Sequence, residues 1–239
     1  MADAFKKQIK VLWPDWLSVT ALIFGFYIVG VILCQIIMRT DKDVNSYFAA
    51  GTVVGGCVAA LFIVLLLAVE VSVHFNLEIS MGFTRKYFWA SYFTVSFAGC
   101  ILNVAFLAVL NAVENSFLKM LYPGWENEID FQPYLLKWGL LAALILAVAG
   151  CLCGILIMRF GRKAFWTLWA LWMIGFLGVP RIADAVESAP NSLFGKIGNA
   201  AAGFAGSIPL QNWVVFAIVA SVAGLAASYI LIRRQQVTV

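Results

Sequence analysis

The sequence predicts an all-α membrane protein, with six transmembrane helices, an N-terminal amphipathic helix and a re-entrant helical hairpin before the last span. Three observations lead there. Of the 239 residues, 63% are apolar and only 12% are charged, where soluble domains carry about a quarter charged residues. The mean hydropathy is +0.94. Apolar runs near the roughly 20 residues that cross a bilayer as a helix recur along the chain, between short polar segments. This composition excludes a soluble enzyme, a disordered tail and a nucleic-acid-binding module. The net charge of +4 then reads as an orientation signal, with no nucleic-acid partner expected.

The elements follow in order. Phe5, Ile9, Leu12 and Trp13 recur at helical spacing with lysines opposite, which suits a short helix lying on the membrane surface. Pro14 separates it from the first span, over residues 16–38. A polar loop holds Arg39, Asp41, Lys42 and Asp43. The second span covers 48–74, a cytoplasmic segment 75–87, and the third span 88–113. A longer acidic loop follows with Glu114, Glu126, Glu128 and Asp130, turned by Pro123-Gly124. The fourth span covers 134–158, and the basic stretch Arg159-Phe-Gly-Arg-Lys163 leads to a short fifth span over 164–179. Residues 180–211 are neither a clean span nor a polar loop. Their small, apolar, Gly- and Pro-punctuated composition suits a helical hairpin dipping into the membrane, the alternative being a loop on its surface. The sixth span covers 212–232. Together these make a single transmembrane domain over 1–239.

Charge sets the orientation. With both ends inside, Lys6, Lys7, Lys10, Arg85, Lys86, Arg159, Arg162, Lys163, Arg233 and Arg234 are internal, and most acids are external. Basic inside, loop after loop, is the bias that places both termini in the cytoplasm.

Candidate chemistry is sparse. The lone histidine is His74, so multi-histidine metal or haem ligation is not expected. No G-x-x-x-x-G-K-[ST] pattern occurs, so ATP would be bound by another chain. No catalytic, cofactor or metal residues are assigned. The five cysteines lie in apolar runs and read as small buried hydrophobes. Glu70 and His74 sit four apart on one helix face, about a turn from the predicted end of the second span. With Asn103 they form a possible intramembrane polar site, because an ionisable group within the bilayer is a functional hypothesis by default. Glu70 thereby supports an alternative, a proton-coupled secondary transporter. Gln35, Asn103 and Asn111 also fit hydrogen bonds between helices. Gly51-x-x-x-Gly55, Gly150-x-x-x-Gly154 and Gly224-x-x-x-Ser228 fit close helix packing. Trp166, Trp169 and Trp172 form a stripe in the fifth span, compatible with lipid, a second copy or an apolar cargo path.

Segment 75–87 mixes Phe75, Leu77, Ile79, Met81 and Phe83 with polar groups, and Gly82 breaks the run. It reads either as a docking element for a cytosolic partner or as a membrane-surface turn with snorkelling Arg85 and Lys86. Met81-Gly-Phe-Thr-Arg-Lys-Tyr-Phe88 resembles the Gly-x-Ser/Thr-Arg segment of ABC-2-type transporter permeases, with Thr84 keeping the hydroxyl where Ser is commoner. The resemblance extends to the layout of six spans. It implies a permease subunit of an ATP-driven exporter in a bacterial plasma membrane. Leu77, Glu78, Met81, Gly82, Phe83, Thr84, Arg85 and Lys86 would form the ATPase-coupling segment. Residues 4–13 would be the connecting helix and 180–211 the re-entrant element. The implied partners are ABC ATPase subunits, which bind ATP and Mg, a second permease copy and membrane lipid. Few fixed charges in the spans point to an amphipathic or apolar cargo: a peptide, a lipid or a drug-like molecule.

Overall fold

The computed structural model describes residues 2–40, 46–80, 82–127 and 129–235. Met81, Asp41, Lys42, Asp43 and Glu128, named above, lie outside the described residues. Seven helices occur in order: α1 (Ala2–Thr40), α2 (Ala50–Ser80), α3 (Arg85–Leu121), α4 (Gln132–Phe160), α5 (Arg162–Ser188), α6 (Leu193–Ser207) and α7 (Leu210–Arg233). All but α6 are long and apolar enough to cross a membrane. Two very short strands, β1 (Ser46–Tyr47) and β2 (Glu126–Asn127), pair in parallel; nothing in the local pattern predicts so short a pair.

Helix ends depart from the apolar runs in instructive ways. α1 runs through Pro14 without a break, so no separate amphipathic helix precedes the first span. Proline forfeits one backbone hydrogen bond, and the surrounding turns carry the helix across it. Its first turns are packed on one side, with Gln8 and Leu12 buried while Ile9 and Trp13 are exposed. α2 continues past His74 to Ser80, because Phe75 and Glu78 are buried and need an ordered backbone. α3 continues past Val113 to Leu121. Glu114, read from sequence as an outer-loop acid, is therefore a buried helical residue. α5 likewise continues through Pro180 to Ser188.

The chain divides into two units, Met1–Ile155 with Gly224–Val239, and Leu156–Ala223. In the first, α1, α2 and α3 pack on one another around Ile23, Ile63, Leu67, Phe75, Phe88 and Leu118. The small-residue patterns bring helices close. Gly150 meets Leu67, and a Cβ on Gly154 would lie 2.8 Å from the Ala68 carbonyl oxygen, so α4 touches the α2 backbone. Gly224 meets Val148, and Ser228 accepts a hydrogen bond from the Trp89 indole at 2.9 Å. Polar spans residues bridge helices as their positions suggested. Thr20 donates to Asn103 at 3.0 Å, Asn111 to Gln132 at 2.8 Å, and Tyr122 to Gln35 at 2.8 Å. All five cysteines are free thiols. Cys57 is exposed and Cys153 half-buried, so not all five are the buried hydrophobes expected; an all-round apolar helix gives no sequence cue to which face turns outward.

In the second unit, Gly161 (φ +59°) breaks the chain between α4 and α5. Ser192 caps α6, its Oγ accepting the Gly195 N–H at 3.0 Å. α6 folds back on the end of α5, with Gly195 against Ala185 and Ala189, and Gly198 against Ile182 and Val186. Residues 180–211 thus hold the tail of α5 and a short helix packed against it. Trp166, Trp169 and Trp172 are all exposed.

Candidate functional site

Two places gather the residues singled out from sequence. The first is the junction of α2 and α3. α2 closes with Gly82 N–H donating to Ile79 O at 3.1 Å and Phe83 N–H to Glu78 O at 3.0 Å. Gly82 sits at φ +89°, a left-handed conformation open chiefly to glycine. Thr84 precedes α3 in an extended conformation, its side chain capping nothing. Arg85 donates from its guanidinium to the Arg233 carbonyl at 3.1 Å, which satisfies an orphan acceptor at the end of α7. Lys86, Leu77 and Gly82 are exposed and Phe83 is half-buried, whereas Glu78 is buried. The expected segment is therefore a tight helical hairpin tip with a basic and apolar surface, and Glu78 belongs to the interior behind it.

The second place is a polar seam between α1 and α2. Glu70, His74 and Glu78 follow at four-residue steps, so they share a stripe of α2. Gln8 and Asp15, two turns apart, share a stripe of α1. The helices run antiparallel, and Gln8 lies beside Glu78 while Asp15 lies against Glu70. Asp15, Glu70 and His74 each offer one ligand atom within 4.8 Å of the others. Tyr92 donates to Glu70 Oε2 at 3.4 Å and to Leu67 O at 3.3 Å. Glu70 is 6% exposed and His74 9%. Glu70 Oε1 and His74 Nδ1 nevertheless have no hydrogen-bond partner, an expensive condition for buried polar atoms. Since α2 extends to Ser80, Glu70 lies about 15 Å from its end at ~1.5 Å per residue, well inside the helix and not a turn from its tip.

Asn103 does not join this seam. It lies eleven residues beyond Tyr92 on α3, about 16 Å along the axis at ~1.5 Å per residue. Its amide donates to Gly99 O at 3.0 Å and accepts from Thr20, an interhelical bond of about 0.6 kcal/mol by membrane-protein averages. Asp15 is the member the sequence reading missed. The stripe Glu70, His74, Glu78 was the signal, since three ionisable groups on one apolar helix need a polar face opposite. Reading Pro14 as a helix end hid the turns of α1 that supply it. Three donors, two carboxylates and one imidazole, are a set that can hold a metal ion, and Asp15, Glu70 and His74 are the residues that would do so. The chain matches no protein-family model, no curated protein and no solved structure.

Proposed function

We propose that this chain is the permease subunit of an ATP-driven ABC-2-type exporter. The observation that carries the reading is the α2–α3 junction, where Gly82 turns the chain and Phe83, Arg85 and Lys86 follow directly after it. Such a tip moves two long helices as levers when a soluble partner pushes on it. Arg85 ties the end of α7 to the same point, so a third helix follows. The packed α5 tail and α6 suit the re-entrant element over 180–211, and the N-terminal turns of α1 suit the connecting helix over 4–13. In this reading both termini are cytoplasmic, the membrane is a bacterial plasma membrane, and a second permease copy completes the pathway. ATP and Mg bind on the ATPase partners, whose closure drives an apolar or amphipathic cargo outward.

The test is purification of the tagged chain in mild detergent with identification of its partners. A P-loop ATPase in about equal amount is expected, lost with Lys86→Glu, a change at an exposed side chain. A folded chain that never carries an ATPase overturns the reading. The Asp15–Glu70–His74 cluster, with Glu70 buried, favours the second reading, a proton-coupled secondary transporter. There, no ATPase co-purifies and Glu70→Gln would abolish transport; in the exporter, ATP-driven transport persists with Glu70→Gln.

A further inference from the structure

We propose that Asp15, Glu70 and His74 form a divalent metal site that pins α1 to α2 inside the membrane-spanning part of the chain. The three residues come from two helices and offer one ligand atom each within 4.8 Å of one another. A first-row ion with bonds of about 2.0–2.2 Å brings such atoms to about 3–4.4 Å apart, so the cluster closes on the ion with small side-chain rotations. One observation points to a ligand independently of this proximity. Glu70 Oε1 and His74 Nδ1 are buried without a hydrogen-bond partner, on side chains that are 94% and 91% removed from solvent, being 6% and 9% exposed. The Asp15 carboxylate also lies against the Glu70 carboxyl, so the facing pair has to share either a proton or a cation.

Charge balance selects the occupant. Two carboxylates and a neutral imidazole carry two negative charges, and a divalent cation neutralises them where the dielectric is low. A single shared proton joins two oxygens but leaves one negative charge and an unsatisfied ring nitrogen. The nitrogen donor favours Zn²⁺ over Mn²⁺, Mg²⁺ or Ca²⁺, which prefer oxygen ligands. Tyr92 serves as the outer partner that orients Glu70, its hydroxyl 3.4 Å from Oε2. The exposed Cys57 is the obvious competing ligand, and the test controls for it. The proposal stands apart from the exporter reading, since it concerns binding to the isolated chain.

The full chain, purified in detergent and stripped with chelator, is titrated with Zn²⁺, Mn²⁺ and Co²⁺. About one equivalent of Zn²⁺ per chain is expected to remain after desalting, with Mn²⁺ held more weakly, and Co²⁺ is expected to give visible ligand-field bands. Glu70→Gln and His74→Ala should each weaken binding at least tenfold and remove those bands, while Cys57→Ser changes neither. Asp15→Asn, the mildest variant, keeps the test decisive if another fails to fold; it too should weaken binding. Stoichiometric binding that survives Asp15→Asn and Glu70→Gln overturns the proposal. So does a monodisperse wild-type chain that retains no metal, which leaves the cluster holding protons alone.

Discussion

Glu114 of α3 caps the first turn of α2 through Thr52. Its Oε2 accepts from the Thr52 N–H at 2.9 Å and from the Thr52 hydroxyl at 2.8 Å, while Oε1 accepts from the Gly51 N–H at 2.8 Å. The carboxylate thus fills the role of an N-cap from a different helix, and its charge faces the positive end of the α2 dipole. Glu114 is buried, so removing it strands two amides. Glu114→Ala should destabilise the chain by about 2–4 kcal/mol, since a buried group left unsatisfied costs ~1–3 kcal/mol and the cap is lost as well. Glu114→Gln should cost less, because one amide oxygen still accepts. The thermal midpoints of the two variants in detergent check the order.

Gly154 tests the backbone approach of α4 to α2. A side chain there meets the Ala68 backbone, which cannot rotate away as a side chain can. Gly154→Val should therefore exceed the about 1–3 kcal/mol typical of overpacking. Gly56 has nothing within 4 Å of an added Cβ, so Gly56→Ala should be neutral or slightly stabilising through helix propensity. Equal losses at both positions would remove the packing argument.

The hairpin tip carries a separate prediction. Space around Gly82 is open, so Gly82→Ala is penalised by backbone conformation alone, about 1–2 kcal/mol. Arg85→Ala should leave the tip intact but free the Arg233 carbonyl. Hydrogen exchange should then quicken over the last turn of α7 and be unchanged in α2. Faster exchange across α2 instead would mean that Arg85 supports the hairpin itself.

Composition made the six long helices legible, because a run of apolar residues has few other solutions in a membrane. The packing roles of Gly150, Gly154 and Gly224, and the bridges made by Gln35, Asn103 and Asn111, were legible for the same reason: in lipid, small and polar residues on a span serve another helix. Helix ends were not. Glu78 and Glu114 are charged, so a hydropathy reading sends them to loops, whereas tertiary partners keep them helical and buried. Asp15 was hidden by Pro14, whose local rule is broken by packing on both sides of it. The cluster with Glu70 and His74 is a contact between positions 55 or more apart, and periodicity within one helix carries no information about such a partner.

Metal removal gives the sharpest reading of that cluster. Stripped of cation, wild type holds two facing carboxyls and an unsatisfied imidazole nitrogen, with only the Tyr92 hydroxyl donating to Glu70. Removing one of two facing carboxyls relieves their mutual repulsion and the desolvation of Glu70, so in chelator Glu70→Leu should melt at or above wild type. Excess Zn²⁺ at about a hundred times its dissociation constant adds ~2.7 kcal/mol to wild type alone. That corresponds to an upward shift of about 5–10 °C for a chain of this size. The order of the two proteins should then reverse. The measurement is a pair of thermal melts per protein, with chelator and with Zn²⁺. Wild type above Glu70→Leu in chelator, with no response to Zn²⁺, would mean that the carboxyl is stabilised by protein partners and holds no ion.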